Sequence, residues 1–371
     1  MSFRPCLIAV VVLGIGAGCA TGDLDEPHAD SVQQDVLTCQ EFMCGTNSPQ
    51  IAEFGFWDLN LPPALGTLGQ PNLRGLQLYG FVQGGELYLP KVFAGRLTAS
   101  RVSTVAPFNT ITLWGSGLVN GVLILVNQGR LFEIRITEVA SVASWAVTTS
   151  GTRPWLESYK LDWSELINGH WGDFRNVCKN PPSREDRDAL TMTGTLAFHT
   201  LLFEGDRINS DKKLDTGVDT TWFNLGCAGS ALAKLALTGH TQAARDSVTF
   251  DTTLPERQAM LKMLAADYCG DGTPFTVAGQ PLNWSDDRGT MKLLTPPAQL
   301  ALESRWTDTG PACLDKPRVD VHHTALSNTV FGLNVNIYDL VQSTCPQQMP
   351  PPCADASFEN HGYHLLSATP L

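Results

Sequence analysis

No stretch of this chain is apolar for long enough to cross a bilayer as a helix, which takes about 20 residues. Positive charge is also scarce: 25 Lys and Arg stand against 37 Asp and Glu, for a formal net charge of −12. Such a field repels nucleic acid and anionic membrane surfaces, which excludes a general DNA- or RNA-binding role. The Cys-x-x-Cys spacing of zinc sites is missing, and His28 stands isolated. Ser230 lies among small residues without the G-x-S-x-G elbow of a nucleophilic serine. No metal and no cofactor is expected. With 43% hydrophobic and 17% charged residues, the 371-residue chain has globular composition and room for one large domain or two ordinary ones.

The first twenty residues read as a targeting segment. Arg4 supplies the positive start, an apolar run extends from Cys6 to Gly16, and small residues follow. Gly16-Ala17-Gly18-Cys19 resembles the bacterial lipobox, with Gly where Leu usually opens the motif. This reading predicts a signal peptide over 1–18, lipidation of Cys19, and a membrane partner held through the lipid. The protein would then be exported to the outer membrane or cell surface. The competing reading, cleavage after Ala20, gives a periplasmic or secreted protein. Residues 19–49 are polar and acidic, as a tether would be.

Cysteine usage agrees with export. Of ten cysteines, Cys6 leaves with the leader and Cys19 is lipidated or removed, which leaves eight for an oxidising compartment. Cys39, Cys44, Cys178, Cys227, Cys269, Cys313, Cys345 and Cys353 are the disulfide candidates. Two local pairs suggest themselves: Cys39 with Cys44 in a polar loop, and Cys345 with Cys353 around Pro350-Pro351-Pro352.

The expected fold class is α+β and mostly β. Residues 50–165 read as strands. Phe132, Ile134 and Ile136 alternate with Glu133, Arg135 and Thr137, the period of a half-buried strand. Asn120-Gly121 between apolar runs 110–119 and 122–126 predicts a hairpin, as does Gly84-Gly85 between 76–82 and 86–89. An antiparallel sandwich or barrel follows. Residues 166–320 mix element types. Strands are expected at 193–203 and 300–306, and a hairpin of 275–277 with 282–284. Leu225, Ala228, Leu232 and Leu235 fall at helical spacing before Gly239. A second helix should start near Pro255 and run to Tyr268. Residues 321–371 form a C-terminal segment containing the Cys345–Cys353 loop.

Ala266-Asp267-Tyr268-Cys269-Gly270-Asp271-Gly272, followed by Pro274-Phe275-Thr276, resembles the defining run of the ADYC domain, found in exported bacterial proteins. Cys227-Ala228-Gly229-Ser230-Ala231, Arg305-Trp306 and the stretch from Gly310 to Cys313 are similar to it as well, so the resemblance covers about residues 170 to 320. It implies a fold and a compartment, and no catalytic residues. It also implies cysteines near positions 234 and 260, where this chain has Lys234 and Met260. A strand at 300–306 packed on the second helix would bring Cys269 to Cys313, with Cys227 or Cys178 as other partners.

Helical projection sets Asp267 in the apolar arc, near a helix C-terminus that disfavours negative charge. A buried carboxylate there needs partners, and the N–H groups of Gly270 to Gly272 or the guanidinium of Arg305 are the candidates. Hydrogen bonds to the charged form would lower its pKa, whereas a base in an apolar cleft would have a raised one. His322-His323 lacks companion ligands. Asp286-Asp287 before Arg288-Gly289 reads as a solvated turn, and the nine tryptophans read mainly as core, able to stack on sugars where exposed. Catalytic residues stay unknown. Two functions compete: a non-enzymatic envelope lipoprotein binding a protein or glycan partner, and a hydrolase centred on Asp267.

Overall fold

The computed structural model describes residues 48–102, 110–146, 154–178, 196, 198–208, 214–215, 221–242, 252–275, 282–288, 297–317, 345, 350–355, 357 and 362–370. The leader, Cys19, the tether up to residue 47, Cys39, Cys44 and His322-His323 lie outside the described residues.

A small hairpin, β1 (Gln50–Ile51) with β2 (Phe54–Gly55), precedes the main sheet. That sheet is built from β3 (Asp58–Asn60), β4 (Gln77–Gln83), β5 (Glu86–Phe93), β6 (Arg96–Val102), β7 (Thr110–Trp114), β8 (Val122–Asn127), β9 (Arg130–Ala143) and β10 (Trp155–Ile167). It continues through β11 (His170–Trp171), β12 (Arg175–Asn176) and β13 (His199–Glu204). A short ribbon of β14 (Arg207–Ile208) and β15 (Leu214–Asp215) intervenes before its last strand, β16 (Trp222–Cys227). The order is β3-β16-β13-β10-β9-β8-β4-β5-β6-β7, antiparallel throughout, with β11 and β12 paired to β10. The α+β, mostly antiparallel expectation holds, but among the described residues no sheet closes into a barrel. The boundary read at 165/166 falls inside β10, which pairs with β9 on one side and β13 on the other.

The sheet buries itself by folding its β5–β6 hairpin back over β10 and β13. The N–H groups of Ala94 and Gly95, at the hairpin tip, donate to the carboxylate of Glu204 on β13 at 2.6 and 3.2 Å. The Leu97 N–H donates to the Tyr159 hydroxyl on β10 at 2.8 Å. Between the layers lies a core of Phe81, Leu97, Phe132, Tyr159 and Leu225. The opposite face of β13 and β10 carries a second core, where Leu201, Phe203 and Leu156 meet the helices. β13 is thus buried on both faces, which is why all six of its residues are enclosed.

The Gly84-Gly85 hairpin forms as expected, joining β4 to β5. Asn120-Gly121 turns the chain, but the strands it separates do not pair. β7 lies on β6, and β8 lies between β4 and β9. Its glycine serves a packing need: a Cβ on Gly121 would stand 2.0 Å from Cζ of Phe81.

Helix α1 (Ala231–Leu237) starts later than its apolar spacing predicts. Leu225 belongs to β16, whose backbone is taken by ladders to β13 and β3. Ser230 caps α1 by accepting the Ala233 N–H, so this hydroxyl is structural. Helix α2 (Leu254–Ala265) opens with Pro255 and a Thr253/Glu256 capping box. It ends at Ala266 in the left-handed conformation, so Asp267 and Tyr268 lie beyond the helix and not on it.

Helix α1 packs on β16 and β13 and against α2, and α2 packs in turn on a second sheet, ordered β17 (Asn283–Asp286), β20 (Leu365–Pro370), β18 (Leu300–Thr307), β19 (Gly310–Leu314). β17 pairs with the C-terminal strand, and residues 276–277 of the expected hairpin lie outside the described residues. β20 is interior, with Leu365 and Leu366 fully enclosed and the Trp306 indole N–H on the Ser367 hydroxyl at 2.7 Å. Deleting residues 365–371 should abolish the near-UV dichroism of the second core and open it to protease. A truncated chain with the parent's melting temperature would refute this role.

Candidate functional site

The turn that follows α2 gathers the residues singled out in the sequence. Lys262, in the last turn of α2, is 1% exposed at its side chain, and Asp267 is fully buried. Their ammonium and carboxylate form an ion pair through Oδ2. The Gly272 N–H donates to the same oxygen at 2.8 Å, and Lys262 donates further to the Gly270 carbonyl at 2.8 Å. Asp267 Oδ1 accepts no hydrogen bond among the described residues. Burial pushes the Asp267 carboxyl above its ordinary pKa, with the Lys262 ammonium and the Gly272 N–H pulling against that shift. The expected lowering is therefore reversed, because desolvation outweighs the donors. Arg305 is not its partner: that guanidinium reaches the Asp355 carboxylate at 2.8 Å and the Ser357 carbonyl at 3.1 Å.

The neighbours of Asp267 are spent on packing. The Tyr268 ring stacks on Trp306 at 5.9 Å and tilts against Phe275 at 5.6 Å, and its hydroxyl donates to Glu303 at 2.5 Å. Gly270 sits against the β18–β19 hairpin, where a Cβ would stand 2.4 Å from the Thr309 carbonyl oxygen. Asp271 points outward and accepts the Thr273 N–H at 2.9 Å.

The disulfides correct two expected pairings. Cys269 bonds to Cys345 and Cys313 to Cys353, so neither Cys269–Cys313 nor a local Cys345–Cys353 loop forms. Cys178 bonds to Cys227. The Cys269–Cys313 expectation placed the strand correctly but missed that each cysteine meets the C-terminal segment.

Sequence reasoning missed a second cluster. On β10 and β13 the Ser158 hydroxyl lies 3.1 Å from His199 Nδ1, and Glu138 of β9 stands 3.7 Å from Nε2. Three separate strands supply it, so no local spacing signals it. Ser158 and His199 are fully buried, and burial lowers the His199 pKa despite Glu138. Arg288 pairs with Glu256 at 2.6 Å, while Asp287 faces His364 at 3.9 Å. Among the described residues no group of His, Cys, Asp and Glu is placed to hold a metal ion.

Residues 115–320, more than half of the chain, match the family model of the ADYC domain. The chain belongs to the ADYC domain family. No curated protein and no solved structure matches it. ADYC-domain proteins are exported bacterial proteins. In this member the ADYC tetrapeptide is the turn just described, and its cysteine takes a partner beyond the matched segment. The central strand of the second ADYC sheet, β20, also lies beyond that segment.

Two outcomes follow for the ADYC region. Asp267→Asn leaves the Lys262 ammonium enclosed without its counter-charge and should cost about 3 kcal/mol of stability in denaturant titrations. Adding Lys262→Met should recover much of that loss; a single variant as stable as the parent would contradict the ion pair. His240 is fully buried, and desolvation lowers its pKa to about 4, against the carboxylates of Asp286 and Glu256. A lowered histidine stabilises the fold above its ordinary pKa of 6.5 and loses that contribution as pH falls toward 4. His240→Gln should flatten the fall in melting temperature across this window relative to the parent.

Proposed function

We propose that this chain is a cell-envelope lipoprotein, anchored through Cys19 at the outer membrane or cell surface, whose folded part is a non-enzymatic binding or structural module. One observation carries the reading: each signature side chain is engaged inside the fold. Asp267 is taken by Lys262 and Gly272, Tyr268 by Glu303 and Trp306, and Cys269 by Cys345. A general base must come within hydrogen-bond reach of a substrate proton, about 3 Å, and an enclosed carboxylate offers no such approach. Disulfide bonding supports an oxidising compartment.

The competing reading is a hydrolase with Asp267 as its base. Its supporting features are the raised carboxyl pKa and the unpartnered Oδ1. Enclosure on every side weighs against it. Intact-mass analysis of the mature N-terminus, combined with membrane fractionation, tests the anchor. Acylated Cys19 in the outer-membrane fraction is the expected result. A mature chain beginning at Thr21 without acyl mass, recovered in the soluble fraction, would overturn it.

A further inference from the structure

Residues 87–132 contain no Asp or Glu, although the chain as a whole carries a net charge of −12. The same stretch holds four cations, Lys91, Arg96, Arg101 and Arg130. Arg130 is bound at the far end of β9 by Glu53 and Glu165, and Arg101 pairs with Glu86 over the Tyr88 ring. Lys91 and Arg96 stand elsewhere, on the outer face of the three-stranded end of the main sheet.

Register and alternation define that face. Val92, Leu97 and Ala99 are buried against the rest of the sheet, so their strand neighbours point the other way. Lys91, Thr98 and Trp114 lie side by side across β5, β6 and β7, and Phe93 faces Arg96. Phe93 is 62% and Trp114 67% exposed. The Lys91 ammonium stands 5.7 Å from the Phe93 ring centre. Arg96 is 57% exposed at its side chain and lies 3.7 Å from Glu157 beneath the hairpin tip, which steadies the guanidinium at the rim. Strand spacing and residue rise put Phe93 and Trp114 about 12 Å apart, a span that suits rings two residues apart in one sugar chain. Threonine hydroxyls, Thr98 and Thr112, lie on the same face.

We propose that the outer face of β5, β6 and β7 is a docking surface for an acidic polysaccharide, stacked on Phe93 and Trp114 and held by Lys91 and Arg96. Exposed aromatic faces pack against the C–H faces of sugar rings. The two cations match carboxylate or sulfate groups on the polymer. The Thr98 hydroxyl donates to the Lys91 carbonyl at 3.3 Å and keeps its oxygen to accept, and with Thr112 beside Trp114 it gives the face polar groups that suit sugar hydroxyls better than an acyl boundary. The acidic remainder of the molecule repels the same polymer, and screening over about 8 Å confines attraction to this face. The assignment deepens the reading of the chain as a non-enzymatic binding protein and rests on it.

The full mature chain, produced with Cys19→Ser, is titrated with polygalacturonate, with neutral dextran and with phosphatidylglycerol vesicles. Tryptophan fluorescence and co-sedimentation are the readouts. Polygalacturonate should bind, more weakly as salt rises, and dextran and vesicles should not. Trp114→Ala should weaken binding about tenfold, and Lys91→Glu with Arg96→Glu should abolish it, both with unchanged near-UV dichroism. Binding to no polymer, equal binding to dextran, preference for vesicles, or indifference to these substitutions would each overturn the assignment. Release of new reducing ends would sink the non-enzymatic reading while leaving the docking face standing.

Discussion

The ion pair between Lys262 and Asp267 fixes the turn on which the second half of the molecule is assembled. Enclosing both charges costs several kcal/mol per ion, a cost their attraction offsets only with good geometry and further hydrogen bonds. The Gly272 N–H and the Gly270 carbonyl supply those bonds, so the pair and the backbone of the turn hold each other in place. With that turn fixed, Tyr268 is delivered to Trp306 on β18, Cys269 to Cys345, and Gly270 to the back of Thr309. One local arrangement thereby joins α2, the second sheet and the C-terminal segment.

A comparable constraint organises the first half. The carboxylate of Glu204, nearly fully buried, satisfies two N–H groups at the tip of the β5–β6 hairpin. A tip placed over a sheet would otherwise carry unpaired donors into the interior, which is costly. Because Glu204 ends β13, the contact that folds the sheet over itself sits on the strand that also walls the helical core. The two cores share β10 and β13, and each is stabilised by what happens on the far side of those strands. The exposed face of β5 to β7 follows from the same fold: once their inner side chains are buried, Phe93 and Trp114 face solvent.

The parts legible in the sequence are the local ones. Pro255 marks the start of α2, Gly84-Gly85 marks a hairpin, and the strand expected at 300–306 is β18. The ADYC run was readable as a heptapeptide, and Asp267 is buried as expected, although it lies past the left-handed cap at Ala266 and not on the helix arc that suggested it. What escaped depends on residues far apart. Asn120-Gly121 gives a turn but cannot say which strands pair across it. Cys269 and Cys313 find partners 76 and 40 residues away, distances at which spacing carries no pairing information. The sign of the Asp267 shift needed the depth of its burial, which a helical projection does not contain.

Chain topology explains why the signature lies where it does. β20 must enter between β17 and β18, and the segment that carries it is pinned first at Cys345 and then at Cys353. Closing loops of that size in a disordered chain costs about 4 kcal/mol for each crosslink, a cost the bonds remove from folding. A disulfide also needs its cysteines about 5 Å apart with matched directions, so one side must already be fixed. The contacts that fix Cys269 span only residues 262 to 272, and contacts that close short loops form at the least entropic expense. The turn thus acts as a socket built from local interactions, into which the distant end of the chain is fastened. Its acid, aromatic and cysteine serve that socket together: Asp267 holds the backbone, Tyr268 seals the core, and Cys269 makes the bond.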